Sequence, residues 1–300
     1  DQEAADRLRA ATRQSEAIRG GPATTRRRRV PRAARKNERG LAAHYFIRQL
    51  TQTLRESARL WRAKGPHATG YKAAQRMATV IERPTAIARE EVELPNESER
   101  RRGGFAFVLH DVFSPAECAE MIAASEARGY DQALVNAGYA QLLDTSTRNS
   151  MRNIWDNPET AAEIHSRVAP HLPNETEPHS FGYSCSPQLL RCAGLNERLR
   201  FLRYDAGDFF AAHQDGSYER PDRSSRSYLT LMLYLNSGGG VDFTGGETSF
   251  VSQSGANADV AFVPRAGDVL IFTHPVLHQG NEVTRGRKYA VRTDVMYAEV

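Results

Sequence analysis

Between Tyr228 and Leu235 the chain alternates strictly, with Leu229, Leu231, Leu233 and Leu235 on one side and Tyr228, Thr230, Met232 and Tyr234 on the other. A period of two is that of a strand with one aliphatic and one mixed face. Val260 to Val263, Val269 to Thr273 and Tyr289 to Met296 add further strands, and Gly-, Asp- and Ser-containing turns separate the segments past residue 180. Short strands in this number, following helices, predict an α+β chain built on a β-sandwich or jelly roll with helices packed outside.

Upstream, Phe105 to Leu109 reads as a first strand. Ser114, Pro115 and Glu117 form a capping box that starts a helix running to about Ala127. Asn157-Pro158 opens another helix, which ends before Pro170. Between them, residues 130 to 156 contain Tyr139, Arg148, Asn149, Arg152, Asn153 and Trp155, a segment too polar for a core and too rich in donors for a mere linker. Tyr139, Arg148, Asn149, Arg152 and Trp155 are the candidates for a substrate wall.

Charge divides the chain at Arg100-Arg101-Arg102-Gly103-Gly104. Residues 1–102 hold 24 Lys/Arg against 12 Asp/Glu, and residues 103–300 hold 16 against 24, about +12 and −8. We therefore expect a basic, partly flexible helical extension over 1–102 and a separate domain over 103–300. In the extension, Arg26 to Arg29, Arg32, Arg35 and Lys36 form an acid-free run that reads as solvated chain, as a nuclear-import or nucleic-acid-binding arm, or as an organelle-targeting segment. Ile47, Leu50, Leu54, Ala58 and Trp61 lie on one helical face within Leu41 to Lys64, and Tyr71, Ala74, Met77 and Ile81 predict a second helix. Cys118, Cys185 and Cys192 show no ligand-like spacing and favour buried thiols in a reducing compartment, with a Cys185–Cys192 bridge the alternative. No apolar run is long enough for a membrane span. With the reducing compartment that the cysteines favour, the expected location is intracellular, cytoplasmic or nuclear, with organelle targeting left open.

One pair of residues carries chemistry. His213 and Asp215 lie two apart, so on a strand both point to the same face and can reach one ion. Nine His and 36 acids in 300 residues yield about one such pair by accident, so context has to decide. Upstream stands Leu202-Arg203-Tyr204-Asp205-Ala206-Gly207-Asp208-Phe209-Phe210, and downstream come Gly245-Gly246-Glu247-Thr248-Ser249-Phe250, Pro264 to Phe272, and His278-Gln279-Gly280 leading to Lys288-Tyr289. Two imidazoles and a carboxylate on one face of an octahedral metal leave the other face open, the arrangement of non-haem Fe(II) oxygenases.

Taken together, these motifs resemble the Fe(II)/2-oxoglutarate dioxygenases of the prolyl 4-hydroxylase-like group, over roughly residues 195–298 with a weaker echo back to about residue 105. The resemblance implies a double-stranded β-helix, the jelly roll of this family, with Fe(II) held by His213, Asp215 and His278. His274 is a rival third ligand, set aside because the pattern of Gly280, Val283 and Gly286 is counted from His278. The far carboxylate of 2-oxoglutarate falls to Lys288, ten positions after His278 and followed by an aromatic residue. Tyr204 and Thr230 match positions whose hydroxyls assist the cosubstrate. Arg292 is assigned to the substrate, or to an ion pair with an acid near Asp294. The implied reaction consumes dioxygen, decarboxylates 2-oxoglutarate to succinate and hydroxylates a C–H bond, with ascorbate as a candidate further cofactor. A prolyl residue of a protein or peptide is the leading substrate, although Tyr289 stands where Trp commonly follows the Lys. A small-molecule substrate, a nucleic-acid demethylase using the basic arm and a non-catalytic binding module are the competing readings.

Overall fold

The computed structural model describes residues 86–137, 140–183, 188–255 and 257–300. The Arg-rich arm, both helices expected within residues 41–81, Tyr139 and Cys185 lie outside them.

Along the chain, β1 (Ala88–Val92) and α1 (Glu97–Arg101) precede β2 (Ala106–His110), and α2 (Pro115–Arg128) leads to β3 (Met151–Asp156). After α3 (Pro158–Val168) come β4 (Leu190–Leu195), β5 (Arg198–Tyr204), β6 (Phe209–His213) and β7 (Arg226–Tyr234). The last strands are β8 (Thr248–Phe250), β9 (Val260–Phe262), β10 (Val269–Thr273), β11 (His278–Gly280) and β12 (Lys288–Glu299). Among the described residues, two antiparallel sheets make up the core beside two short two-stranded ones. The larger runs β1-β2-β10-β7-β12-β5-β3 and ends on the short strand Asp131–Gln132, with β4 also paired to β12. The smaller runs β9-β8-β11-β6 and ends on Arg148–Asn149. Helices are fewer than an α+β chain implies: among the described residues three α-helices accompany a mostly antiparallel β core, the two-sheet arrangement of a jelly roll.

The alternation in β7 explains how the layers stack. Leu229, Leu231, Leu233 and Leu235 are buried with Phe201, Ile271 and Val291 of neighbouring strands and with Cys118 of α2 and Ala161, Ile164 and Val168 of α3. The opposite face of the same sheet places Val108, Tyr234, Leu270, Phe272 and Ala290 against Phe250 of the smaller sheet. Each leucine so buried contributes about 1.5–3 kcal/mol. The mixed face is thereby free to look between the sheets, where polar groups gather.

Capping fixes the helices where the sequence predicts. Ser114 Oγ accepts from the Glu117 backbone N–H at 3.3 Å, and the Ser114 N–H donates back to Glu117 Oε2 at 2.8 Å. Arg167 of α3 also pairs with Glu117 at 2.7 Å, tying the two helices together. In α3, Asn157 accepts from the Thr160 N–H at 2.9 Å. Cys118 and Cys192 are free thiols. No described helix is long and apolar enough to cross a membrane.

Two features depart from sequence expectation. β1 is mostly exposed and reads Ala-Arg-Glu-Glu-Val, without apolar alternation, yet it pairs with β2 from Ala88↔His110 to Val92↔Ala106. Ladder hydrogen bonds at a sheet edge need no buried face, so such a strand leaves little trace in the sequence. The second is the polar segment before Asp156, whose end forms β3, paired along its length with β5.

Gly267 locks the start of β10 onto the turn between β2 and α2. Its carbonyl accepts from the N–H groups of Val112 and Phe113 at 3.0 and 3.2 Å, and its φ is +88°, with an added Cβ only 1.9 Å from Phe113 O. Gly267→Ala is therefore expected to cost about 3 kcal/mol, seen as a lower urea midpoint with an unchanged slope.

Candidate metal centre and its cavity

β6 and β11 are neighbours in the smaller sheet, and their register sets His213 directly opposite His278. Asp215 follows just beyond the end of β6. Its Oδ1 lies 3.8 Å from His213 Nε2 and its Oδ2 3.7 Å from His278 Nε2. Among the described residues these three form the one cluster of His, Cys, Asp or Glu able to share an ion, with all donor atoms within 4.8 Å of one another.

Hydrogen bonds fix the imidazole tautomers. His213 Nδ1 lies 2.8 Å from the Ala211 carbonyl and His278 Nδ1 lies 3.0 Å from the Val276 carbonyl. A carbonyl only accepts, so each Nδ1 carries the hydrogen and each Nε2 turns a free lone pair toward Asp215. Burial pushes the His213 imidazole down to about 4, helped by His278, and lowers that of His278 as well. Burial by itself would raise the Asp215 carboxyl, but Arg292 and the imidazoles outweigh it and hold the group well below the usual carboxylate range. Two neutral imidazole nitrogens and an ionised carboxylate on one side of a cavity are a donor set that fits a ferrous ion.

His274 is excluded as the third ligand by its own bonds. Thr230 Oγ1 donates to Asp215 Oδ2 at 2.5 Å, so it accepts from His274 Nδ1 at 2.9 Å, and His274 Nε2 accepts from Ser227 Oγ at 2.9 Å. Both ring nitrogens are occupied, in a fully buried side chain whose imidazole burial pushes down to about 4. Thr230, expected to assist the cosubstrate, instead donates its hydroxyl hydrogen to Asp215. Its signal was there in the alternation of β7, but the recipient could be known only once β7 and Asp215 were brought together.

Lys288 opens β12 with its ammonium buried, donating to Gly246 O at 2.7 Å and lying 5.3 and 5.5 Å from the ring centres of Tyr204 and Tyr234. No carboxylate pairs with it among the described residues, and burial pulls its pKa down to about 8. Gly246 has φ +68°, and a Cβ there would come within 3.3 Å of Lys288 Cδ and 2.9 Å of Val283 Cγ2. The glycine thus keeps room for the lysine beside a cavity of about 550 Å³ that also reaches the triad.

Not every expected residue faces that cavity. Arg148, Arg152, Tyr204, Lys288 and Arg292 line it. Trp155 does not: strand alternation turns it to the helix side, 5.8 Å from Phe201 and beneath Arg128. Asn149 is bonded to Asp208 at 2.7 Å, away from the lining. Arg292 is ion-paired with both Asp215, at 3.1 Å, and Asp294, at 3.0 Å, so it bridges the metal cluster and the sheet. Two lining residues were overlooked in the sequence, Arg198 and Arg200. They stand four and two positions before Leu202 and share the face of Tyr204, so a period-two reading back from Tyr204 finds them.

Residues 199–293 match the family model described as the 2OG-Fe(II) oxygenase superfamily. No curated protein matches the chain. Among solved structures, similarity is found to a viral collagen prolyl hydroxylase from Paramecium Bursaria Chlorella virus-1 in a 2OG complex, at 18% identity over 64% of this chain and 96% of that one, with a TM-score of 0.41. A Pseudomonas putida prolyl-4-hydroxylase is 14% identical over 66% and 95% of the two chains, with a TM-score of 0.43. A Trichoplax adhaerens prolyl hydroxylase, in complex with a hypoxia inducible factor peptide fragment, is 13% identical over 77% and 94%, with a TM-score of 0.44. The triad and Lys288 all fall inside the segment, residues 199–293, that matches the model of the 2OG-Fe(II) oxygenase superfamily.

Proposed function

We propose that this oxygenase hydroxylates a C–H bond, with a prolyl residue of a protein or peptide as the leading substrate, and that His213, Asp215 and His278 hold the iron. The observation that supports the reading is the meeting, in one cavity, of the triad and a buried ammonium at Lys288 that no carboxylate of the described residues pairs. Bound iron with 2-oxoglutarate and dioxygen would supply the oxidising power, with succinate and carbon dioxide as the other products. The protein's part is orientation. Lys288 anchors the far carboxylate of 2-oxoglutarate, Tyr204 packs beside that ammonium, Thr230 and Arg292 hold the Asp215 carboxylate, and the apolar walls from Leu202, Met232 and Phe272 limit water. No side chain has to act as a general base.

The test is a screen of prolyl peptides and small molecules for substrate-stimulated succinate release, with His213→Ala as the blank. One hydroxylated product per succinate is expected from prolyl peptides. Turnover of small molecules alone would replace the substrate assignment, and succinate no higher than the blank across all pools would end the reading.

A further inference from the structure

The cavity carries more positive charge than the triad and the cosubstrate can use. Five arginines and Lys288 line it against two carboxylates, Asp215 and Asp294. Loading it with a ferrous ion and doubly charged 2-oxoglutarate adds two charges of each sign and leaves that excess in place. Three of these six cations are already matched. Arg292 pairs with Asp215 and Asp294, Arg200 with Asp294 at 3.2 Å, and Arg198 with Asp156 at 2.9 Å.

Arg148 and Arg152 have no carboxylate among the described residues. Arg152 donates only to the neutral Gln141, at 3.3 Å, and Arg148 only to Ser150 Oγ, at 2.9 Å. Both are held near the metal side. The Arg148 guanidinium lies 4.5 Å from the centre of the Phe210 ring, which stacks on His213 at 3.6 Å. Arg152 stands on β3 opposite Leu202 of β5, two positions along from the pair of Ile154 with Arg200 and so on the same face. Burial, and then the repulsion of Arg148, Arg200 and Arg198, pulls the Arg152 guanidinium below its ordinary value. Crowding like charges in a half-buried cavity is costly unless an anion enters.

Resting on the oxygenase reading above, we infer that the substrate presents a carboxylate to Arg148 and Arg152 while its reacting carbon faces the metal cluster. Planar guanidinium groups recognise that group through paired N–H donors. The carboxylate could belong to a free prolyl acid or to an acidic side chain next to the proline of a peptide.

Calorimetry on the full chain, loaded with Mn(II) and 2-oxoglutarate, tests this with two matched pairs: N-acetylproline against its amide, and a prolyl peptide with Glu beside the proline against the same peptide with Gln. In the wild type, the charged member of at least one pair is expected to bind about tenfold more tightly or better. The pair that shows the preference identifies the source of the carboxylate. Arg152→Gln and Arg148→Gln should each shrink it to within about twofold, Arg152→Lys should keep part of it, and Arg101→Gln on exposed α1 serves as the control. Equal affinities within both pairs, no binding by either carboxylate, or a preference surviving both glutamine variants would overturn the assignment. Binding of 2-oxoglutarate to each metal-loaded variant is measured separately: its retention shows a folded site and an intact oxygenase reading, and its loss in the wild type would count against that reading instead.

Discussion

Replacing Lys288 with methionine is expected to make the ligand-free protein more stable by about 2–3 kcal/mol at pH 7. The ammonium is 3% exposed, and its burial lowers its pKa from 10.5 to about 8. Below pH 8 both folded and unfolded chains hold the proton, and the folded state bears the full cost of keeping a charge out of water, about 3 kcal/mol by linkage. Between about pH 8 and 10.5 the unfolded chain binds more protons, so wild-type stability rises with pH through that window and the cost fades. The advantage of Lys288→Met should therefore be largest at or below neutral pH and vanish near pH 10.5. Urea unfolding at several pH values measures it. The same substitution should weaken 2-oxoglutarate binding about a hundredfold while leaving metal affinity nearly unchanged, because it deletes the proposed anchor and none of the three proposed metal ligands. On the proposed reading, the far carboxylate of 2-oxoglutarate offsets that cost when it binds. Should Arg292→Ala abolish 2-oxoglutarate binding while Lys288→Met leaves it intact, the anchor has been placed on the wrong residue.

Asp215→Asn should act in the opposite direction. The Asp215 side chain is 11% exposed, accepts from Thr230 at 2.5 Å and pairs with Arg292 at 3.1 Å. Asparagine keeps the shape and removes the charge, so Arg292 retains only Asp294 in a buried setting. Breaking such a pair costs about 3 kcal/mol or more. Metal binding should fall at least about a hundredfold, since one of three donors loses its charge and the two imidazoles alone hold an ion poorly. Unfolding of the metal-free protein and titration with Mn(II) measure the two effects separately. Unchanged metal affinity in this variant would remove Asp215 from the centre.

How much of this could be read before folding depends on the distance over which each signal acts. The leucine alternation of β7, the capping box at Ser114 and the Asn157 cap are local, and each element formed where local chemistry placed it. The spacing of His213 and Asp215 is local as well. Parity across an irregular segment is not. The polar stretch before Asp156 offered donors without a register, so Trp155 and Arg152 looked equally suited to a substrate wall until pairing with β5 turned one toward the helices and the other into the cavity. β1 was equally hidden, because an exposed edge strand is selected by its partner's free hydrogen-bonding groups and not by its own pattern.

The order of residues alone determined that β7 is a strand, where α2 and α3 begin, and that His213 and Asp215 can reach one ion, since each follows from a pattern within a few residues. Tertiary structure decided who meets whom. It set His278 opposite His213, tied up both nitrogens of His274, joined Arg292 to Asp215 and left Arg148 and Arg152 without a carboxylate among the described residues. The physical reason is that these contacts join strands far apart in the chain, where sheet register, in which a slip of one residue exchanges the two faces, assigns each side chain its neighbours.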